Sequence, residues 1–193
     1  MRKQTLRLTF CLLMLSTLSI AQSELTFGVK GGANFTGFHT GSSTFSSEFG
    51  INLGGIAEYS LSDRFSIQAE LLFNQKAGTF TIRDNSNFVL GSVVSKLGYI
   101  DIPIIAKIYI GDKFSFEVGP QFGFNISEKT EFNDSEIESE TNTLDTAIVG
   151  GFGYQFEQGL FIQARYGYGL SEVFEDDKYK NSVISLSLGY KFN

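Results

Sequence analysis

Eight charged side chains recur among residues that are apolar at every second position: Lys30, Glu58, Glu70, Asp101, Lys107, Glu117, Arg165 and Lys191. Four are basic and four acidic. Gathered away from water, such a set could relay ions or protons. It could equally form a neutral plug of ion pairs, because a buried charge without a partner is costly. The even balance favours the plug over a functional path. Gln68, Gln121, Gln155, Gln163 and Asn52 share the same spacing and add donors and acceptors.

Other chemistry is sparse. His39 is the only histidine and lies near Ser42 and Ser43. A hydrolase would need an acidic partner fixed beside them, and none is placed, so His39 reads as a polar surface residue. Glu128, Glu131, Asp134, Glu136, Glu138 and Glu140 crowd one polar stretch, and Glu172, Glu175, Asp176 and Asp177 another. Their spacing matches no calcium loop, so solvated acidic segments are expected. No Walker loop, zinc spacing or dinucleotide fingerprint is present. The expectation is therefore no catalytic residue, no metal site, no cofactor and no enzyme activity.

The elements that must position the eight charges are strands. Ile184, Leu186, Leu188 and Tyr190 alternate with Ser185, Ser187 and Gly189. Only a strand sorts that pattern onto two faces. Similar patterns predict eight strands, over 25–35, 49–59, 65–76, 96–110, 114–127, 145–156, 160–170 and 182–192. The connections alternate in length. Residues 61–64, 111–113 and 157–159 are tight turns, whereas 37–48, 77–95, 128–144 and 171–181 are long and polar. Pro103 and Pro120 fall inside strands, where each deletes a ladder hydrogen bond, so a local bulge or a lumenal water is expected there. Phe80 and Ile82 reverse the parity of Phe73, which predicts a bulge at Ala77-Gly78 with strand continuing beyond it.

One face of these strands carries no charge. It holds Phe27, Val29, Leu53, Ile67, Leu71, Ile104, Phe116, Phe122, Phe152, Ile162 and Leu186, among others. An eight-stranded barrel is just wide enough for side chains to fill. It cannot enclose so many large residues, so the bulky face looks outward and needs lipid. Tyr59, Tyr154, Tyr190 and Phe192 then mark one interface, and Tyr99, Tyr166 and Tyr168 the other. Short turns at one end and long loops at the other fit an eight-stranded antiparallel up-and-down transmembrane β-barrel, all-β, with the turns and both termini periplasmic. On this reading Leu186→Arg puts a cation in lipid, and Glu70→Gln in the lumen costs less.

The first residues read as an address. Arg2, Lys3 and Arg7 precede an apolar run over 8–20 that is too short to span a membrane, and Ser19 and Ala21 suit signal cleavage after Ala21. The domains are thus a signal peptide over 1–21 and a barrel over 22–193. Cys11 follows bulky Phe10, which argues against a lipoprotein and leaves a mature chain without cysteine. That chain has 12 basic and 21 acidic residues, a net charge of −9, which argues against nucleic acid as a partner.

Three further stretches carry a family likeness: Tyr99-Ile100-Asp101-Ile102-Pro103-Ile104, Glu117-Val118-Gly119-Pro120-Gln121-Phe122-Gly123-Phe124 and Gly159-Leu160-Phe161-Ile162-Gln163-Ala164-Arg165-Tyr166. With Gly28-Val29-Lys30-Gly31-Gly32-Ala33-Asn34, they resemble the PorT-type outer-membrane β-barrel proteins. The resemblance implies a barrel in the outer membrane of a Gram-negative bacterium, makes both prolines a family feature, and points to secretion for some relatives. The expected function is an integral outer-membrane protein with a plugged lumen. It would act structurally or by interaction through its extracellular loops, or as a secretion accessory; the alternative is a narrow ion or small-solute pore. The expected partners are outer-membrane lipid and a protein or polysaccharide at the loops.

Overall fold

The computed structural model describes residues 25–40, 43–44, 46–83, 89–132, 135–137, 142–173 and 180–192. Eight strands form the barrel: β1 Leu25–Thr40, β2 Ser46–Ser62, β3 Phe65–Arg83, β4 Val89–Ile110, β5 Phe114–Phe132, β6 Leu144–Gln155, β7 Leu160–Gly169 and β8 Lys180–Phe192. Each pairs antiparallel with its neighbour in sequence. The sheet closes where β1 meets β8, in register from Phe27↔Phe192 to His39↔Lys180. Two short strands, Ser43–Thr44 and Ser135–Ile137, pair with β1 and β5 beyond the barrel wall. The expected signal segment, the side chains of His39 and Ser43, and Ser42 lie outside what is described.

Local chemistry explains the turn end. Asp63-Arg64 joins β2 to β3, and the β4–β5 turn uses Gly111 at φ 64°. The β6–β7 turn places Gln158 at φ 65° and Gly159 at φ 87°, a left-handed conformation that glycine adopts without a Cβ clash. At the other end β1 to β5 run beyond the predicted strands. Most of the predicted 77–95 loop is therefore strand, because β3 and β4 stay paired up to Arg83↔Val89.

The apolar face points out. Leu53, Leu71, Ile126, Ile184 and Leu186 are more than half exposed, and Tyr59, Tyr154, Tyr166, Tyr168, Tyr190 and Phe192 are exposed as well. From Phe114 to Phe124 the outward band is roughly 25 Å tall, taking ~3.3 Å per residue and a tilt of ~40°. That matches a bilayer's hydrocarbon core as a transmembrane barrel presents it. Tyr99 departs from the expected girdle. It is fully buried, because it shares the inward parity of Asp101 and Lys107. The lumen also takes Ile56, Leu72, Leu97, Ile105 and Phe161, so it is less purely polar than the alternation suggested.

Both expected bulges are resolved differently. Around the prolines the ladder skips two residue pairs but keeps its register: Ala69↔Ile104 and Leu72↔Asp101 flank Pro103 on one side, Pro103↔Gln121 and Ala106↔Val118 on the other. The missing N–H groups are thus absorbed by unpaired stretches, with no inserted residue. The expected bulge at Ala77-Gly78 is absent from β3, which stays in register with β4 through Ile82↔Gly91; β2 instead carries the extra residue, between Ser47 and Asn52. A second shift places Ile126 of β5 as the extra residue opposite Gly98-Tyr99.

Candidate functional site: the charged lumen

The inward parity of seven strands delivers all eight predicted charges to the barrel interior, where Asp101 belongs to a separate cluster and the other seven form one network. Glu70 on β3 lies at its centre. It meets Lys30 of β1 at 2.7 Å and accepts two parallel bonds from the Arg165 guanidinium of β7, at 2.8 and 3.0 Å. Gln68 also donates to it. This paired fork geometry is the strongest form of ion pairing available to a carboxylate. Arg165 turns its Nε to Glu117 of β5 at 2.7 Å. Gln163 ties the group together, donating to Glu117 at 2.9 Å and accepting from Lys30 at 3.1 Å.

Toward the turns, Glu58 of β2 holds Lys107 at 3.0 Å and Lys191 at 2.7 Å, and accepts from Ser66 at 2.7 Å and from the Tyr109 hydroxyl. Lys107 links this group to the centre, 3.6 Å from Glu117 and 3.2 Å from the Gln68 carbonyl. Below it the barrel opens into a cup of about 810 Å³ lined by Glu58, Tyr109, Lys191, Asp63, Asp112 and Gln158, among others.

Toward the loops lies a cluster that only Asp101 represented in the sequence reading. Lys76 of β3 sits 3.4 Å from Asp101 and 2.6 Å from Asp145, and its ammonium lies 4.1 Å from the centre of the Tyr99 ring. Asp101 also accepts from Asn74 at 2.6 Å and Gln121 at 2.9 Å. A chain of amides feeds this point: Ser187 donates to Asn52, Asn52 to Asn34, Asn34 to Asn74. Lys76 and Asp145 were omitted because each stood at the end of a predicted strand. Parity alone would have found Lys76, since Gln68, Glu70, Asn74 and Lys76 are even-numbered and all face inward.

The lumen therefore carries five basic and five acidic side chains, each in at least one ion pair, in a group of seven and a group of three. Glu70, Asp101 and Glu117 have fully buried carboxylates. Two small cavities remain along the axis, of about 30 and about 10 Å³. The larger has room for roughly two waters. Of the acidic loop residues, the side chains of Glu128, Glu131 and Glu172 are described; the other carboxylates named above lie outside the described side chains. Among the described residues no group of three or more histidine, cysteine or acidic side chains is placed to hold a metal ion.

Comparison with known proteins places the fold. The family model described as outer membrane protein beta-barrel domain matches residues 20–175. No curated protein matches the chain. Among solved structures, Neisserial surface protein A is similar, with a TM-score of 0.59, 16% identity, and coverage of 86% of this chain and 97% of that one. Ail, the attachment invasion locus protein of Yersinia pestis, aligns with a TM-score of 0.54 and 15% identity, covering 88% of this chain and 99% of its own.

Proposed function

Because the chain belongs to the outer membrane protein beta-barrel domain family, and is thus an integral outer-membrane protein, we propose that it acts by contact and not by conduction. The observation that carries this reading is the lumen: ten paired charges fill it, and its larger internal cavity is about 30 Å³. Aqueous porin channels need about 16–18 strands, whereas eight leave room only for side chains. Opening a path would require removing water-excluded ion pairs from one another, which is costly without replacement partners.

Function then falls to the loop end. There β3, β4 and β5 continue past the apolar band, and β4 runs eleven residues from Ile100 back to Val89, about 28 Å above it at the same rise and tilt. These strands and their acidic connections suit contact with a basic protein surface or with cation-bridged polysaccharide. The likeness to PorT-type proteins favours an accessory role in secretion within that class. In this reading residues 1–21 are removed and both termini face the periplasm.

Two measurements test it. Purified protein in planar bilayers is expected to give no stable conductance steps; large, steady steps would overturn the closed lumen and make the protein a pore. Replacing residues 128–143 by a short Gly/Ser linker should release a partner that copurifies with the intact protein from outer membranes. Retention of that partner would refute the loop assignment.

A further inference from the structure

The lumenal charges divide unevenly. The group of seven holds Lys30, Lys107, Arg165 and Lys191 against Glu58, Glu70 and Glu117, a surplus of one positive charge. Two of its cations also have N–H groups to spare. Lys30 spends one on Glu70 and one on Gln163, which leaves one of its three. Arg165 spends three on Glu117 and Glu70, which leaves two of its five. Both residues are buried, at 4% and 6% exposed. A buried cation with unspent donors lacks an acceptor.

Both border the larger internal cavity, of about 30 Å³. Lys30, Arg165 and Lys76 line it, whereas their partners Glu70, Glu117 and Asp101 do not. Among the described residues Asp145 is the one carboxylate on the wall. It is already bonded to Lys76 at 2.6 Å, to Asn181 at 3.0 Å and to Ser171 at 3.0 Å. The wall adds the hydroxyl of Ser185, which stands in register between Arg165 and Asn34 and makes no hydrogen bond among the described residues. Gly167 supplies the room, since a Cβ there would meet nothing nearer than 3.8 Å.

We propose that this cavity binds one monovalent anion of chloride size, held by the Lys30 ammonium, the Arg165 guanidinium and the Ser185 hydroxyl. Room for roughly two waters takes one such ion. A water accepts at most two of these bonds and leaves the surplus charge in place. An anion accepts them all and cancels it. The ion ties β1, β7 and β8 together, across the seam that closes the sheet. This inference concerns the interior alone and stands whether or not the loops engage a partner.

The full-length barrel, refolded into phosphatidylcholine vesicles, is unfolded by heat in sodium chloride and in sodium gluconate at equal ionic strength. Gluconate is too large for the cavity. Chloride at about five times its dissociation constant should raise the midpoint by about 2–4 °C. Gly167→Ala takes up the room without touching a charge and should abolish that difference, while Glu157→Gln, at an exposed turn position, should keep it. Equal midpoints in the two salts, or a chloride effect that persists in Gly167→Ala, would overturn the site. Should Gly167→Ala fail to fold, crystals of the unaltered protein grown in sodium bromide decide. An anomalous bromide peak beside Lys30 and Arg165 supports the site, and its absence refutes it.

Discussion

Glu70→Gln is the sharpest test of the plug. The substitution preserves shape, so it opens no cavity, and it removes one negative charge from the centre of the network. Lys30 and Arg165 then share Glu117, which Lys107 also approaches, as the nearest remaining acid. The new amide also turns an N–H toward groups that only donate. Leaving a buried cation without its partner costs ~3–5 kcal/mol. With a urea slope of ~1–3 kcal/mol per molar, the unfolding midpoint should fall by more than about 1 M. The chain has no tryptophan, so the titration in lipid vesicles is followed by tyrosine fluorescence and circular dichroism. Adding Lys30→Met restores the local balance and should recover part of the loss, giving a coupling energy by double-mutant cycle. A loss under about 1 kcal/mol, or no recovery in the double variant, would refute the argument. The expected cost also reverses the sequence-based ranking, which put Glu70→Gln below a cation in lipid.

Leu186→Arg replaces a lipid-facing residue that is 59% exposed and lies between Ala33 and Ala164, and should cost ~2–4 kcal/mol in the same vesicle titration. Tyr99→Cys should resist a water-soluble maleimide until urea unfolds the barrel, whereas Tyr168→Cys should label in the folded state; mass spectrometry reads both. Gly119→Ala should sharply lower the yield of folded barrel on heat-modifiability gels, because its Cβ would lie 1.9 Å from the Ile104 carbonyl oxygen.

Strand order, facing and closure were legible because lipid outside and a narrow lumen inside leave each alternating residue one place to go. Ile184 to Tyr190 reads correctly for that reason. Tyr99 was misread by its chemistry: tyrosine suits an interface, but the parity it shares with Asp101 decides its side. Lys76 and Asp145 were lost at predicted strand ends, since only Phe80 and Ile82 signalled that strand continues past the hydrocarbon region. The bulges in β2 and β5 were invisible for a related reason. A register shift belongs to a pair of strands, and a single run of residues records only half of it. The hub at Glu70 was legible as one of eight inward charges but not as the centre, which depends on how far β1, β3, β5 and β7 are offset around the barrel.

The hydrogen bonds and ion pairs that cross the lumen join parts of the chain that are remote in sequence. Lys30 and Gln163 are 133 residues apart, and Arg165 and Glu70 are 95 apart. An open sheet holds these groups far from each other, and they meet only when β8 zips against β1. Loop-closure entropy therefore falls due before any of these contacts can form. Closing the seam between β1 and β8 thus also brings these groups together and takes them out of water.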